Sequence, residues 1–174
     1  MGLENFQNEF TDKAFITYEI NSPAELDKLR QVISESDDSE LTIEIQVSKE
    51  MIDMFVEQFE TIDPEQKITH LSLPELQLTH SGWQQFFEKL KGRQALQYLQ
   101  LKDNNLDYVN DIDSLGVYLA ADPQLAKLDL TSSDKTGDQT YLTGWHAQQL
   151  ADYLKTNNHL IELKYAGWLD AALS

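Results

Sequence analysis

Leu96-Gln97-Tyr98-Leu99-Gln100-Leu101-Lys102-Asp103-Asn104-Asn105-Leu106 is the stretch whose reading decides the fold. Leu99 and Leu101 lie two residues apart, so both point to one face of a short extended segment. Leu96 approaches the same apolar layer from three residues earlier. The spacing L-x-x-L-x-L recurs on both sides: Ile68, Leu71 and Leu73 before it, Leu125, Leu128 and Leu130, then Leu160, Leu163 and Tyr165 after it. Two further triplets precede these, Phe15, Tyr18 and Ile20, then Glu40, Ile43 and Ile45. Glu40 stands where an apolar residue belongs. Successive first positions are 25, 28, 28, 29 and 35 residues apart, the range in which each period is one supersecondary unit stacked on its neighbours.

Between the triplets run apolar residues at helical spacing. Leu26, Leu29 and Ile33; Ile52, Phe55, Val56 and Phe59; Trp83, Phe86, Phe87 and Leu90; Ile112, Leu115, Gly116 and Leu119; and Ala147, Leu150, Ala151 and Leu154 each mark a helix with one buried face. Ser22-Pro23-Ala24-Glu25 carries an N-cap serine, a proline at the first helical position and a glutamate at the third. Ser48 before Lys49-Glu50, and Asp111 before Ile112, are expected to cap in the same way. Pro123 stops the fourth helix. The unit is strand, turn, helix, five times, closed by a sixth strand. One such unit cannot bury its apolar stripe alone, whereas stacked units can.

The central stretch matches L-x-x-L-x-L-x-x-N-x-L at every defined position, and the chain resembles the leucine-rich repeat family, in its ribonuclease-inhibitor-like subclass. The resemblance implies an α/β solenoid with about six parallel strands on a concave face and about five helices on a convex one. It implies one domain over 1–174, with an N-terminal cap over 1–14, repeats over 15–165 and a C-terminal cap over 166–174 that includes Trp168. In that family an asparagine bonds neighbouring turns. Here Asn104 has that place, while Leu76 and Ser133 replace it in the adjacent repeats. The last, longer step places a polar insertion over 131–141, and such loops often carry contacts.

Composition narrows the functional classes. Thirty acidic residues against thirteen basic ones give a net charge of −17. That balance repels phosphate backbones and argues against nucleic acid and anionic membranes. Residues 1–60 hold fifteen acids and four bases, so a basic partner is steered to the N-terminal third. Cysteine is absent, which removes thiolate metal sites and disulfides. The opening Met-Gly-Leu-Glu-Asn-Phe has no basic and apolar leader pattern, and no apolar run approaches the ~20 residues that span a bilayer. The expectation is a soluble, monomeric, cytoplasmic protein.

Motifs for chemistry are incomplete. Asp134-Lys135-Thr136-Gly137 begins like the aspartyl-phosphate motif of P-type ATPases, but Asp138 follows and the setting is a polar insertion. Asp103, Asn105 and Asp107 begin a calcium loop that then has Tyr108 for glycine and Ser114 for glutamate. His70, His80, His146 and His159 form no metal-binding pair on one helical face. Ser81-Gly82-Trp83 and Thr143-Gly144-Trp145 are expected to be turns with a tryptophan closing the core. No catalytic residue, cofactor or metal is expected.

Strand side chains alternate, so the residues between the core positions form the other, concave face. Its residues include Glu19, Glu44, Gln46, His70, Ser72, Tyr98, Gln100, Lys102, Lys127, Asp129 and Lys164, together the expected partner-binding set. The functional expectation is a non-catalytic protein-binding module, with Tyr98 and His70 as central anchors and Glu19 and Glu44 selecting basic groups. The alternative is an acidic decoy, or a bacterial effector acting in a host cell's cytoplasm, that captures a basic partner through overall charge.

Overall fold

The computed structural model describes residues 15–104, 106, 109–131 and 144–164, with backbone alone at 109, 110 and 144–147. Six strands form one all-parallel sheet in chain order: β1 (Ile16–Ile20), β2 (Leu41–Val47), β3 (Ile68–Ser72), β4 (Tyr98–Gln100), β5 (Lys127–Asp129) and β6 (Glu162–Lys164). Five helices alternate with them: α1 (Pro23–Glu35), α2 (Ile52–Ile62), α3 (His80–Leu90), α4 (Val109–Ala120) and α5 (Gly144–Leu154). Each helix packs on the next in chain order. The α/β class, the strand and helix numbers and the parallel sheet expected from the repeat are all present.

The register shows why the triplets recur. Ile43, Leu71, Leu99, Leu128 and Leu163 are Cα partners across successive strands. That row and the helical stripes make one core cluster, and full burial of each such side chain is worth about 1.5–3 kcal/mol. The ladder extends past the regular strands, because the amides of Leu73, Leu101 and Leu130 donate to the carbonyls of Gln100, Asp129 and Lys164.

Two expectations about the first repeats are corrected. Leu41, not Glu40, fills the first core position of the second repeat: it is buried and partners Ile68, and an irregularity between Leu41 and Thr42 restores the register. Glu40 is exposed. A bulge of this kind absorbs a one-residue offset that a regular strand would turn into a flip of faces. In the first repeat the frame moves by two residues. Ile16 partners Ile43 and Tyr18 partners Ile45, so Phe15 lies level with Thr42 on the face opposite the core.

Three local expectations also change. The Ser22 hydroxyl does cap α1, accepting from the Glu25 amide at 3.4 Å with Pro23 at the first position. Ser48 instead precedes a 3₁₀ turn at Lys49–Met51 and makes no side-chain cap bond. Asp111 lies inside the first turn of α4, which begins at Val109. Gly82 is not in a turn: it is the third residue of α3, where Thr79 Oγ1 accepts from its amide at 3.0 Å. The expected caps at 1–14 and 166–174, the motif at 134–137 and residues 132–141 of the insertion lie outside the described residues. Among the described residues no helix is long and apolar enough to cross a membrane.

Candidate functional site

The face of the sheet opposite the core row is built by two rows of aligned residues. One runs Thr42, His70, Tyr98, Lys127 and Glu162. The other runs Thr17, Glu44, Ser72, Gln100, Asp129 and Lys164. Glu19 partners Gln46 rather than Glu44, the consequence of the two-residue shift in the first repeat. The parity of the alternation holds, so the expected residues that lie in strands share one face, while Lys102 lies in the turn after β4.

The second row is wired across five strands. Thr17 Oγ1 donates to Glu44 Oε2 at 3.1 Å, as does Gln46 Nε2 at 3.2 Å. Ser72 Oγ lies 3.1 Å from Glu44 Oε1 and 2.9 Å from Gln100 Oε1. Its single proton serves one of these acceptors at a time. Gln100 Nε2 donates to Asp129 Oδ2 at 3.4 Å, and the amide of Thr131 donates to Asp129 Oδ1 at 2.9 Å. A parallel sheet places equivalent side chains one strand spacing apart, about 4.8 Å, which is the reach of such a chain.

The middle of this face is closed, contrary to the expectation of an open polar wall. Ser72, Tyr98, Gln100 and Asp129 are 1%, 2%, 3% and 4% exposed. Phe15 explains part of this. Its ring centroid lies 6.1 Å from that of Tyr98, and His70 stands 6.0 Å from Tyr98 on the same row. Burial, reinforced by the Asp129 and Glu162 carboxylates, pushes the Tyr98 phenol above its ordinary pKa, so it stays a neutral hydroxyl. His70 is half-buried and shares a 2.8 Å hydrogen bond between Nδ1 and Thr69 Oγ1. Lys102, Lys127 and Lys164 are half-buried.

The exposed part of the face is at its N-terminal third. Glu19 and Gln46 are exposed and Glu44 is partly so. At the strand ends a recess of about 430 Å³ is lined by Glu19, Asn21, Gln46, Val47, Ser48, Pro74 and Glu75. Glu75, which sequence reasoning did not single out, adds an exposed carboxylate there. It has φ of 53° and Asp103 at the equivalent place has 58°, so both sit in the left-handed conformation that turns the chain after β3 and after β4. The repeat alignment itself held that signal, since Glu75 and Asp103 both follow the last triplet leucine by two.

Beside this turn Asn104 does what its position implied. Its Oδ1 accepts from the amides of Leu76 at 2.7 Å and Gln77 at 3.4 Å, and its Nδ2 donates to the carbonyls of Leu73 at 2.8 Å and Lys102 at 3.2 Å. Among the described residues no group of three His, Cys, Asp or Glu side chains is placed to hold a metal ion. Of the residues that began the calcium-like loop, Asn105 and Asp107 lie outside the described residues; Asp111, further along the chain, is buried and bonded to His80 Nδ1 at 2.9 Å. No protein-family model matches the chain, and no curated protein matches it.

Proposed function

We propose that this chain is a leucine-rich repeat protein of the ribonuclease-inhibitor-like type, acting as a non-catalytic module that binds a basic protein on the face of its sheet opposite the core. The repeat reading is supported by the all-parallel sheet in chain order, by equivalent leucines paired from strand to strand, and by the bonds that Asn104 makes to the preceding turn. The observation that carries the functional reading is the recess between Glu19, Gln46 and Glu75, continuous with Glu44 on a row of hydrogen-bonded side chains. Glu44 is held by Thr17 and Gln46, and a carboxylate fixed in this way recognises a cation with little ordering cost in the protein, because its position is set before the partner arrives. The high net negative charge of the chain favours the same class of partner by steering.

The alternative is a charge-driven decoy or effector, favoured by the value of −17 alone. The two differ in locality. A fluorescein-labelled octa-arginine peptide, followed by fluorescence anisotropy, is expected to lose about tenfold or more in affinity for the variant E19Q/E44Q/E75Q. The variant E35Q/D37N/E50Q removes the same charge elsewhere and is expected to lose far less. Equal losses in the two variants favour the decoy, and no loss in either removes the N-terminal third of this face as the docking site.

A further inference from the structure

Two connections of unequal length meet beside the recess. Between β2 and α2 the chain runs through Ser48 and the 3₁₀ turn Lys49–Met51, whereas residues 73–79 separate β3 from α3. Ser48 and Glu75 line the recess on the strand side of these connections. On their helix side Lys49 and Gln77 line a second cavity, a groove of about 750 Å³. Ser48 and Lys49 are chain neighbours and Glu75 and Gln77 are two residues apart, a span of at most about 7 Å. The two cavities therefore adjoin across the connections.

The groove lies between α2 and α3. Its apolar lining is Ile52, half-buried, with Val56 and Leu78, both buried. Beside these, Asp53 and Glu57 stand one helical turn apart on α2 and are exposed, a spacing at which like charges repel. Exposed acids on other helices meet a cation three residues on, as in Asp27–Arg30, Glu88–Lys91 and Asp152–Lys155. Three residues beyond Asp53 and Glu57 come Val56 and Glu60 instead. Lys49 sets one cation against these two carboxylates, so the lining keeps a negative balance. Further along, the helices are tied together: Lys89 Nζ donates to the Glu57 carbonyl at 2.6 Å, and the Phe59 and Phe86 ring centroids are 5.4 Å apart. The groove is thus confined to the first turns of the two helices, next to the recess.

We infer that the groove takes the continuation of the basic segment held in the recess: one chain crosses the two connections and sets an aliphatic side chain against Val56 and Leu78, between Arg or Lys residues that meet Asp53 and Glu57. This rests on the reading of the recess as a docking site. The ligand class is a bipartite basic segment of a protein, with arginine or lysine for Glu19 and Glu75 at one end and an aliphatic residue flanked by cations at the other. An apolar floor beside unneutralised carboxylates suits that second part, because aliphatic burial adds affinity while the charges fix register. Attraction to the net charge alone has no use for the aliphatic residue.

The test uses the full chain and two fluorescein-labelled peptides, Arg-Arg-Gly-Ser-Gly-Arg-Leu-Arg and Arg-Arg-Gly-Ser-Gly-Arg-Ser-Arg, with affinity read by anisotropy. The leucine peptide is expected to bind the unaltered protein about tenfold more tightly than the serine peptide. Q85W places a large ring in the groove from an exposed position on α3. It is expected to weaken the leucine peptide alone and bring the two within about twofold of each other. D53N/E57Q keeps the shape of the groove and is expected to weaken both peptides about fivefold, against less than about twofold for E35Q/D37N, which removes the same charge elsewhere. Should Q85W lose its cooperative unfolding transition, Q85F is the second variant, read by the same criterion. Equal binding of the two peptides to the unaltered protein, or a leucine preference that persists in the Gln85 variant, overturns the groove as a docking site. Failure of the recess would show differently: the leucine preference stands while both peptides are indifferent to E19Q/E44Q/E75Q, which overturns the bridge between the two cavities.

Discussion

Asn104 touches four backbone groups through one side chain, two as acceptor and two as donor. Three of those groups, on Leu73, Leu76 and Gln77, belong to the turn of the preceding repeat. N104A is expected to cost about 1–3 kcal/mol in urea denaturation, since the Leu76 amide and the Leu73 carbonyl that it deserts are partly buried. Asp122 is a second residue whose role is legible in titration. The Asn158 amide, then the His159 and Asn158 side chains, draw its carboxyl pKa down from 3.8 to about 2. A depressed carboxyl pKa stabilises the fold above the unfolded value and loses that contribution as pH falls through the folded one. Urea midpoints followed from pH 5 to pH 2 are therefore expected to fall less steeply between about 4 and 2 in D122N than in the unaltered chain. Asn104 could be assigned in advance because the motif names its position. Asp122 could not, because its partners lie 36 and 37 residues further along the chain.

Elements are joined by side chains that the repeat pattern leaves unspecified. The last carbonyls of each helix lack intrahelical partners, and in several repeats the next connection supplies them. Lys67 Nζ donates to the carbonyls of Ile33, Ser34 and Ser36 at the end of α1. Arg93 donates to those of Phe59 and Asp63 at the end of α2, and Asn157 to that of Leu119 in α4. Cations at these ends also meet the negative pole of the helix. Arg93 does more: it faces Asp63 Oδ2 at 3.1 Å and lies 5.0 Å over the Phe59 ring, while Asp63 accepts from the Lys67 and Ile68 amides. R93A strands a fully buried carboxylate and is expected to cost about 3–5 kcal/mol by chemical denaturation. The α4–α5 contact is set by Gly116, where a Cβ would overlap the ring of Tyr153, whose hydroxyl bonds Asp113. G116A is expected to cost about 1–3 kcal/mol through overpacking. In a double-mutant cycle Y153A should remove most of that penalty, giving non-additive losses. The glycine was visible in the helical stripe, but its reason was not, since Tyr153 is in the next unit.

At the scale of the whole molecule the sheet is a set of equivalent positions, and its two faces have different fates. The core face is apolar from strand to strand, mostly leucine and isoleucine with Tyr18 and Val47 at the first two strands. The face opposite the core changes character along the sheet, from exposed Glu19 and Gln46 to buried Ser72, Tyr98, Gln100 and Asp129. A consequence is expected in salt. Binding of octa-arginine should weaken as ionic strength rises, with a slope that shrinks in E19Q/E44Q/E75Q, because exposed carboxylates are screened over about 10 Å at 0.1 M. An unchanged slope in that variant would place the contacts outside the N-terminal third.

The amino-acid sequence by itself determined the α/β class, the chain-order parallel sheet, the helical stripes and the face on which most strand residues lie. These follow from periodicities of two, of three to four and of about 28, which are properties of the chain acting locally and repeated. Only the tertiary structure decided the frame of the first two repeats, where Leu41 replaces Glu40 in the core and Phe15 leaves it. It also decided that Tyr98 is covered and that Arg93, Lys67 and Asn157 close helix ends. Strand register depends on partners about 28 residues away, and one bulge or a two-residue slip re-addresses a side chain while leaving the hydrophobic pattern almost unchanged.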